Sequence, residues 1–101
     1  MATYIMLSNL TDEGRKTLKE RPERLHAVNK EVESMGARVT GQFATMGGYD
    51  FVNIIEAPTN EVMAKITVEL GSRGTIKITT LPAMSVTEFV EMLGGQAPGG
   101  A

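Results

Sequence analysis

Two segments far apart in the chain, Thr3–Asn9 and Phe51–Ala57, are apolar on both of their alternate residue sets, and this constrains the fold more than any other feature. In the first, Thr3, Ile5 and Leu7 alternate with Tyr4, Met6 and Ser8; in the second, Val52, Ile54 and Ile55 crowd together. A strand with one wet face alternates apolar and polar residues, so segments of this kind belong in the middle of a sheet with cover on both faces. Pro58, which lacks a backbone donor, ends the second segment.

The segments between and after them supply helices and edge strands. Thr11 is an N-cap residue, and Asp12 and Glu13 complement the dipole of a helix that starts there. Helical periodicity runs to Met35, but Pro22 removes a donor and clashes with the preceding turn. A short helix, a break near Glu20-Arg21 and a longer helix are therefore expected. In the longer piece Leu25, Val28, Val32 and Met35 form one stripe, and Gly36 stops it. Ala37–Thr45 sets Val39, Gly41 and Phe43 against Arg38, Thr40 and Gln42, the pattern of a one-sided edge strand. Met46-Gly47-Gly48-Tyr49-Asp50 is a turn, its paired glycines able to take positive φ. Asn60–Leu70 carries Met63, Ile66 and Leu70 on one helical face, with Gly71 as its stop. Thr75–Leu81 alternates again. Ser85 and Glu88 form a capping box opening a final helix through Leu93.

Strand, helix, strand, strand, helix, strand, plus a C-terminal helix, predicts an α+β fold: a ferredoxin-like βαββαβ sandwich with an antiparallel sheet. That topology puts the first and third strands at the centre, where the doubly apolar segments need to be. Residues 1–93 are expected to form this single domain, and 94–101 a flexible glycine-rich tail. Both helices of such a sandwich pack on one face of the sheet. The other face, to which we assign Met6, is then apolar and open, and self-association into a homo-dimer or higher oligomer covers it.

Composition excludes several classes of function. Ten Lys and Arg against twelve Asp and Glu give a net charge of −2, which argues against a nucleic-acid partner. The Arg15–Arg24 basic cluster is interleaved with Glu20 and Glu23 and reads as a solvated helix face. Without cysteine there is no disulfide, thiol nucleophile or thiolate metal site. With a single histidine as well, no metal site is expected, and no cofactor-binding fingerprint occurs. The seven methionines read as adaptable core packing. No apolar run spans a membrane and no basic leader precedes the first strand, so a cytoplasmic protein is expected.

Candidate chemistry gathers in the glycine turn. Gly47 and Gly48 allow close backbone approach, while Tyr49 and Asp50 add a ring, a hydroxyl and a carboxylate, so these four residues are the candidate ligand contacts. Tyr49, Asp50 and Arg73 are the catalytic candidates, with Arg73 placed to face an anion. His26 is a weaker one, lying off the Leu25–Val28–Val32 stripe. Each has a structural alternative: a hairpin whose Asp bonds a nearby amide, a helix-ending turn at Arg73, and a surface histidine.

Gly48-Tyr49-Asp50 followed by an apolar strand resembles the GYD domain family, small bacterial and archaeal proteins named for that tripeptide. Thr3–Thr11, Arg21-Pro22-Glu23-Arg24, Asn29, Leu70-Gly71-Ser72-Arg73-Gly74 and Thr80-Leu81-Pro82-Ala83 match as well, covering about residues 1 to 90. The resemblance implies a ferredoxin-like fold related to dimeric α/β barrels. It implies no activity, because the family is known mainly as a domain of unknown function, and it makes His26 a varied position. Three functional readings follow. The first is a small oligomeric binding or regulatory module, holding a small molecule or a partner protein. The others are a cofactor-independent enzyme of the dimeric-barrel kind using Tyr49 and Asp50, and a structural assembly protein.

Overall fold

The computed structural model describes residues 1–96; the end of the glycine-rich tail, residues 97–101, lies outside the described residues. Strands β1 (Ala2–Leu10), β2 (Arg38–Ala44), β3 (Phe51–Ala57) and β4 (Ile76–Ala83) form one antiparallel sheet in the order β2-β3-β1-β4. The two doubly apolar strands are its centre. Helices α1 (Asp12–Glu20), α2 (Arg24–Ser34) and α3 (Asn60–Gly71) connect them, and α4 (Val86–Met92) follows β4. The arrangement is the ferredoxin-like sandwich that the element order predicts.

Local chemistry sets the helix ends. The Thr11 hydroxyl accepts from the Gly14 N–H at 3.1 Å and donates to the Gly74 carbonyl at 2.7 Å, so one side chain caps α1 and ties it to the α3–β4 turn. Gly14 is needed at this crossing, since a Cβ there would sit 2.0 Å from the Thr75 carbonyl oxygen. Pro22 interrupts the helical segment. Arg21, which precedes it, leaves the α region at φ −138° and ψ 72°, and α2 starts afresh at Arg24. Gly36, at φ 98°, ends α2 as expected. Gly71 does not end α3: the helix runs through it to a cap at Ser72, and the reversal comes at Gly74, φ 76°.

The core lies between the sheet and α2 and α3. Tyr4 and Met6 of β1, Ile55 and Ala57 of β3, Val32 of α2 and Met63, Ile66 and Leu70 of α3 are its buried members. The Tyr4 hydroxyl donates to Asn60 Oδ1, which satisfies the polar end of a buried ring. Met6, 3% exposed, therefore belongs to the helix side, and Ile5 and Leu7 take the open face instead. Both alternate sets of β1 are apolar, so the two-residue period alone does not decide which one faces the helices. The methionines also divide: Met6 and Met63 are buried and Met35 packs on the core, but Met1, Met46, Met84 and Met92 are exposed.

A bulge in β2 changes the expected edge strand. Val39 pairs with Ile55 and packs on the core, but the register shifts between Val39 and Gly41, leaving Thr40 as the extra residue. Phe43 then stands opposite Val52, on the open face, 57% exposed, and Gln42 opposite Asn53, on the helix face. One inserted residue reverses every later side chain. The open face thus carries Ile5, Leu7, Val52, Ile54, Phe43 and Leu81, with no helix over it among the described residues. Nor does α4 cover it: none of its residues is buried, and Val86, Phe89 and Leu93 line up exposed along one side.

Candidate functional site

The turn from Thr45 to Asp50 is fixed by its own hydrogen bonds. Gly47 takes φ 119°, whereas Gly48 has no positive φ, and a Cβ there would touch nothing within 4 Å. The Thr45 hydroxyl donates to the Tyr49 carbonyl at 2.6 Å, and the Thr45 N–H to the Asp50 carbonyl at 2.8 Å. Asp50 reaches across to β1. Its N–H donates to the Ser8 carbonyl at 2.9 Å, and its Oδ2 accepts from the Leu10 N–H at 2.8 Å, with the Arg15 guanidinium 4.0 Å away. The carboxylate continues the β1–β3 pairing beyond the last strand residue. Met46 and Tyr49 stay outside, Tyr49 being 40% exposed.

Arg73 lies in the turn between α3 and β4. Its guanidinium donates to Glu31 of α2 and, at 3.2 Å, to Glu69 of α3, clasping the two helices together. That hydrogen bond holds the Glu31 carboxyl below the ordinary glutamate range and pushes the Arg73 guanidinium above its own. Its positive charge is therefore already matched. His26 is exposed on α2. Among the described residues no group of three or more His, Asp or Glu side chains is arranged to hold a metal ion.

Between the sheet and the α1–α2 pair is a cavity of about 110 Å³. Met6, Ser8 and Asn53 line it from the sheet; Leu18, Leu25 and Val28 line it from the helices. Arg24 and Arg73 are also on its wall. Of the residues singled out by sequence, Arg73 borders this space, and Gly47, Gly48, Tyr49, Asp50 and His26 are not among those that line it. Asp50 supports the cavity indirectly, by holding the Ser8–Leu10 end of β1.

Asn53 is the residue that sequence reasoning passed over. It is 8% exposed, and its Oδ1 is buried without a hydrogen-bond partner among the described residues. Gln42 faces it from β2, but both ends of the Gln42 amide are engaged by Asn29, at 2.8 and 3.2 Å. On the other side stands Met6, which offers no donor. An unpaired buried carbonyl costs about 1–3 kcal/mol. The signal in the sequence was a lone Asn on the same alternate set as Phe51, Ile55 and Ala57, inside the most apolar strand of the chain.

The family profile of the GYD domain matches residues 4–93. A Thermus thermophilus protein, named glutamine synthetase and cystathionine beta-lyase binding protein, is 45% identical over 94 residues, spanning 92% of this chain and 99% of its own length. No solved structure gives a significant match. Among the described residues, no helix is long and apolar enough to cross a membrane.

Proposed function

Because the chain belongs to the GYD domain family, we propose that it is a small self-associating binding module that docks on metabolic enzymes, glutamine synthetase and cystathionine β-lyase being the first candidates. One observation carries this reading: near full-length identity of 45% to a relative named for binding those two enzymes. Two surfaces of this chain suit the task. The open sheet face, with Ile5, Leu7 and Ile54 at its middle, suits a second copy of the chain, because a symmetric pair buries the same apolar patch on both partners. The Thr45–Asp50 turn suits the enzyme, because it projects Met46 and Tyr49 from a backbone fixed by Thr45 and Asp50, and exposed Tyr is a common anchor of protein interfaces. Partners of this kind support a cytoplasmic setting.

An enzyme using Tyr49, Asp50 and Arg73 has less support. Asp50 spends a carboxylate oxygen on the Leu10 N–H, and Arg73 lies between two carboxylates. Titration of the purified chain into each of the two enzymes from its own source tests the docking reading. Saturable binding at fixed stoichiometry, weakened tenfold or more by Tyr49→Ala with the fold intact, is the expected result. Absence of binding to both enzymes at tens of micromolar contradicts it.

A further inference from the structure

We infer that the cavity between the sheet and the α1–α2 pair is an open cleft that binds a small carboxylate. The short apolar body of this ligand carries a second oxygen acceptor, an oxo acid being the simplest member of the class. The inference is independent of enzyme docking and uses a different part of the molecule. The first argument is the set of polar groups that the wall leaves unbonded. Seven of the sixteen lining residues are polar or charged. Three of these are engaged within the protein: the Thr17 hydroxyl donates to the Glu13 carbonyl, the Gln42 and Asn29 amides bond each other, and Arg73 is held by Glu31 and Glu69. Ser8, Asn53, Thr75 and Arg24 remain, with no side-chain hydrogen bond among the described residues.

On the floor of the cleft, Asn53 turns its Oδ1 away from solvent, so the accessible end of its amide is Nδ2, which only donates. Ser8, 3% exposed, lies one pair along on the neighbouring strand and on the same face; its hydroxyl is not sealed off either. Both side chains are more than nine-tenths buried, and both donate to an acceptor that enters the cleft. Charge is the second argument. The lining residues include two arginines and no carboxylate. Arg73 is matched by Glu31 and Glu69, but Arg24, exposed on the first turn of α2, has no ion pair among the described residues. One free guanidinium suits one forked carboxylate. Held at this exposed rim, the anion keeps part of its hydration and avoids the cost of full burial. The sides are the third argument. Leu18, Leu25 and Val28 face the sheet with apolar carbon, and an interior of about 110 Å³ takes a chain of about six carbons.

Three probes separate the parts: 5-oxohexanoate, its neutral amide 5-oxohexanamide, and 5-methylhexanoate, in which a methyl group replaces the oxo oxygen. In ¹H–¹⁵N spectra of the full-length protein, 5-oxohexanoate should give saturable shifts centred on Ser8, Leu18, Leu25 and Asn53. Its affinity should exceed that of the amide and of the methyl analogue by about fivefold each. Arg24→Gln, on the exposed rim, should remove the preference for acid over amide. Asn53→Leu should reduce the preference for oxo over methyl to less than about twofold. Absence of saturable shifts, shifts centred on the open sheet face, equal affinities for acid and amide or for oxo and methyl in the wild-type protein, or an Arg24→Gln variant that binds as the wild type does would each overturn the assignment. The wild-type comparison of oxo with methyl decides the role of the floor alone if Asn53→Leu does not fold.

Discussion

Ile54 and Ile55 are adjacent in the chain and identical in chemistry, yet β3 sends them to opposite faces of the sheet. Ile55 is completely buried under the helices. Ile54 lies between Ile5 of β1 and Gly41 of β2 on a face that no helix covers, close to the exposed Phe43 and Leu81. One face is finished by the chain itself. The other also carries large apolar side chains, from Ile5 and Leu7 to Phe43, but among the described residues it has no lid. The difference separates what makes the fold from what the fold presents. Burial of Tyr4, Met6, Ile55, Met63 and Ile66 accounts for folding, and the second apolar surface stays uncovered, which is the ground for the association proposed above.

Truncating the two isoleucines should break the symmetry of that pair, and this is the largest effect expected. Ile55→Ala leaves a cavity in the core and should cost about 2–5 kcal/mol of unfolding free energy. Ile54→Ala should cost roughly 1 kcal/mol in conditions where the protein is dispersed. Denaturant titration of both variants checks it, and equal losses would mean that the open face is as much a part of the folding core as the helical one.

Asp50 sharpens the comparison at the edge where the two faces meet. Asp50→Ala leaves the Leu10 N–H unpaired at the end of β1 and should lower stability by about 1–3 kcal/mol. Asp50→Asn keeps an acceptor oxygen and should recover much of that loss. If Asp50 were instead a proton-transfer group, both variants would be equally inactive and nearly as stable as the wild type.

The smallest effect is electrostatic. Glu31 is held below its ordinary titration range in the folded chain by Arg73, so the unfolded chain takes up its proton first as pH falls. The contribution of this pair is therefore fully present above the ordinary glutamate value of about 4.3 and is lost as pH drops through the lower folded value. For side chains 37% and 30% exposed, it should amount to no more than about 1 kcal/mol. Arg73→Gln should remove this acid-side slope; an unchanged pH profile of unfolding would show that the clasp contributes nothing to stability.

How much of this was legible in the sequence depends on the range of the interaction. The central places of β1 and β3, the break at Pro22 and the cap at Thr11 follow from residues within a few positions of each other, and all three stand in the structure. Other features depend on partners far along the chain. Nothing near Gly14 announces the Thr75 carbonyl that forbids a side chain there. Thr40 gives no local sign of the bulge that sends Phe43 to the open face. The candidate site divides in the same way. The Gly47–Asp50 turn stood out by composition, but the isolation of Asn53 arises only when Asn29 of α2 engages Gln42 of β2. A period of two also cannot choose between equally apolar sets, and only the packing of α2 and α3 puts Met6 on the helix side.

Sedimentation velocity of the full chain and of its Leu7→Lys variant at micromolar concentration tests most directly whether the uncovered face is an interface. Leu7 lies on the open side of β1, pairing with Val52 and Thr79, so a charge there leaves the helical core untouched. The account predicts a wild-type species of at least twice the 10.9 kDa chain mass, and a monomeric Leu7→Lys protein with an unchanged far-ultraviolet spectrum. A wild-type protein that sediments as a monomer, indistinguishable from the variant, would contradict it.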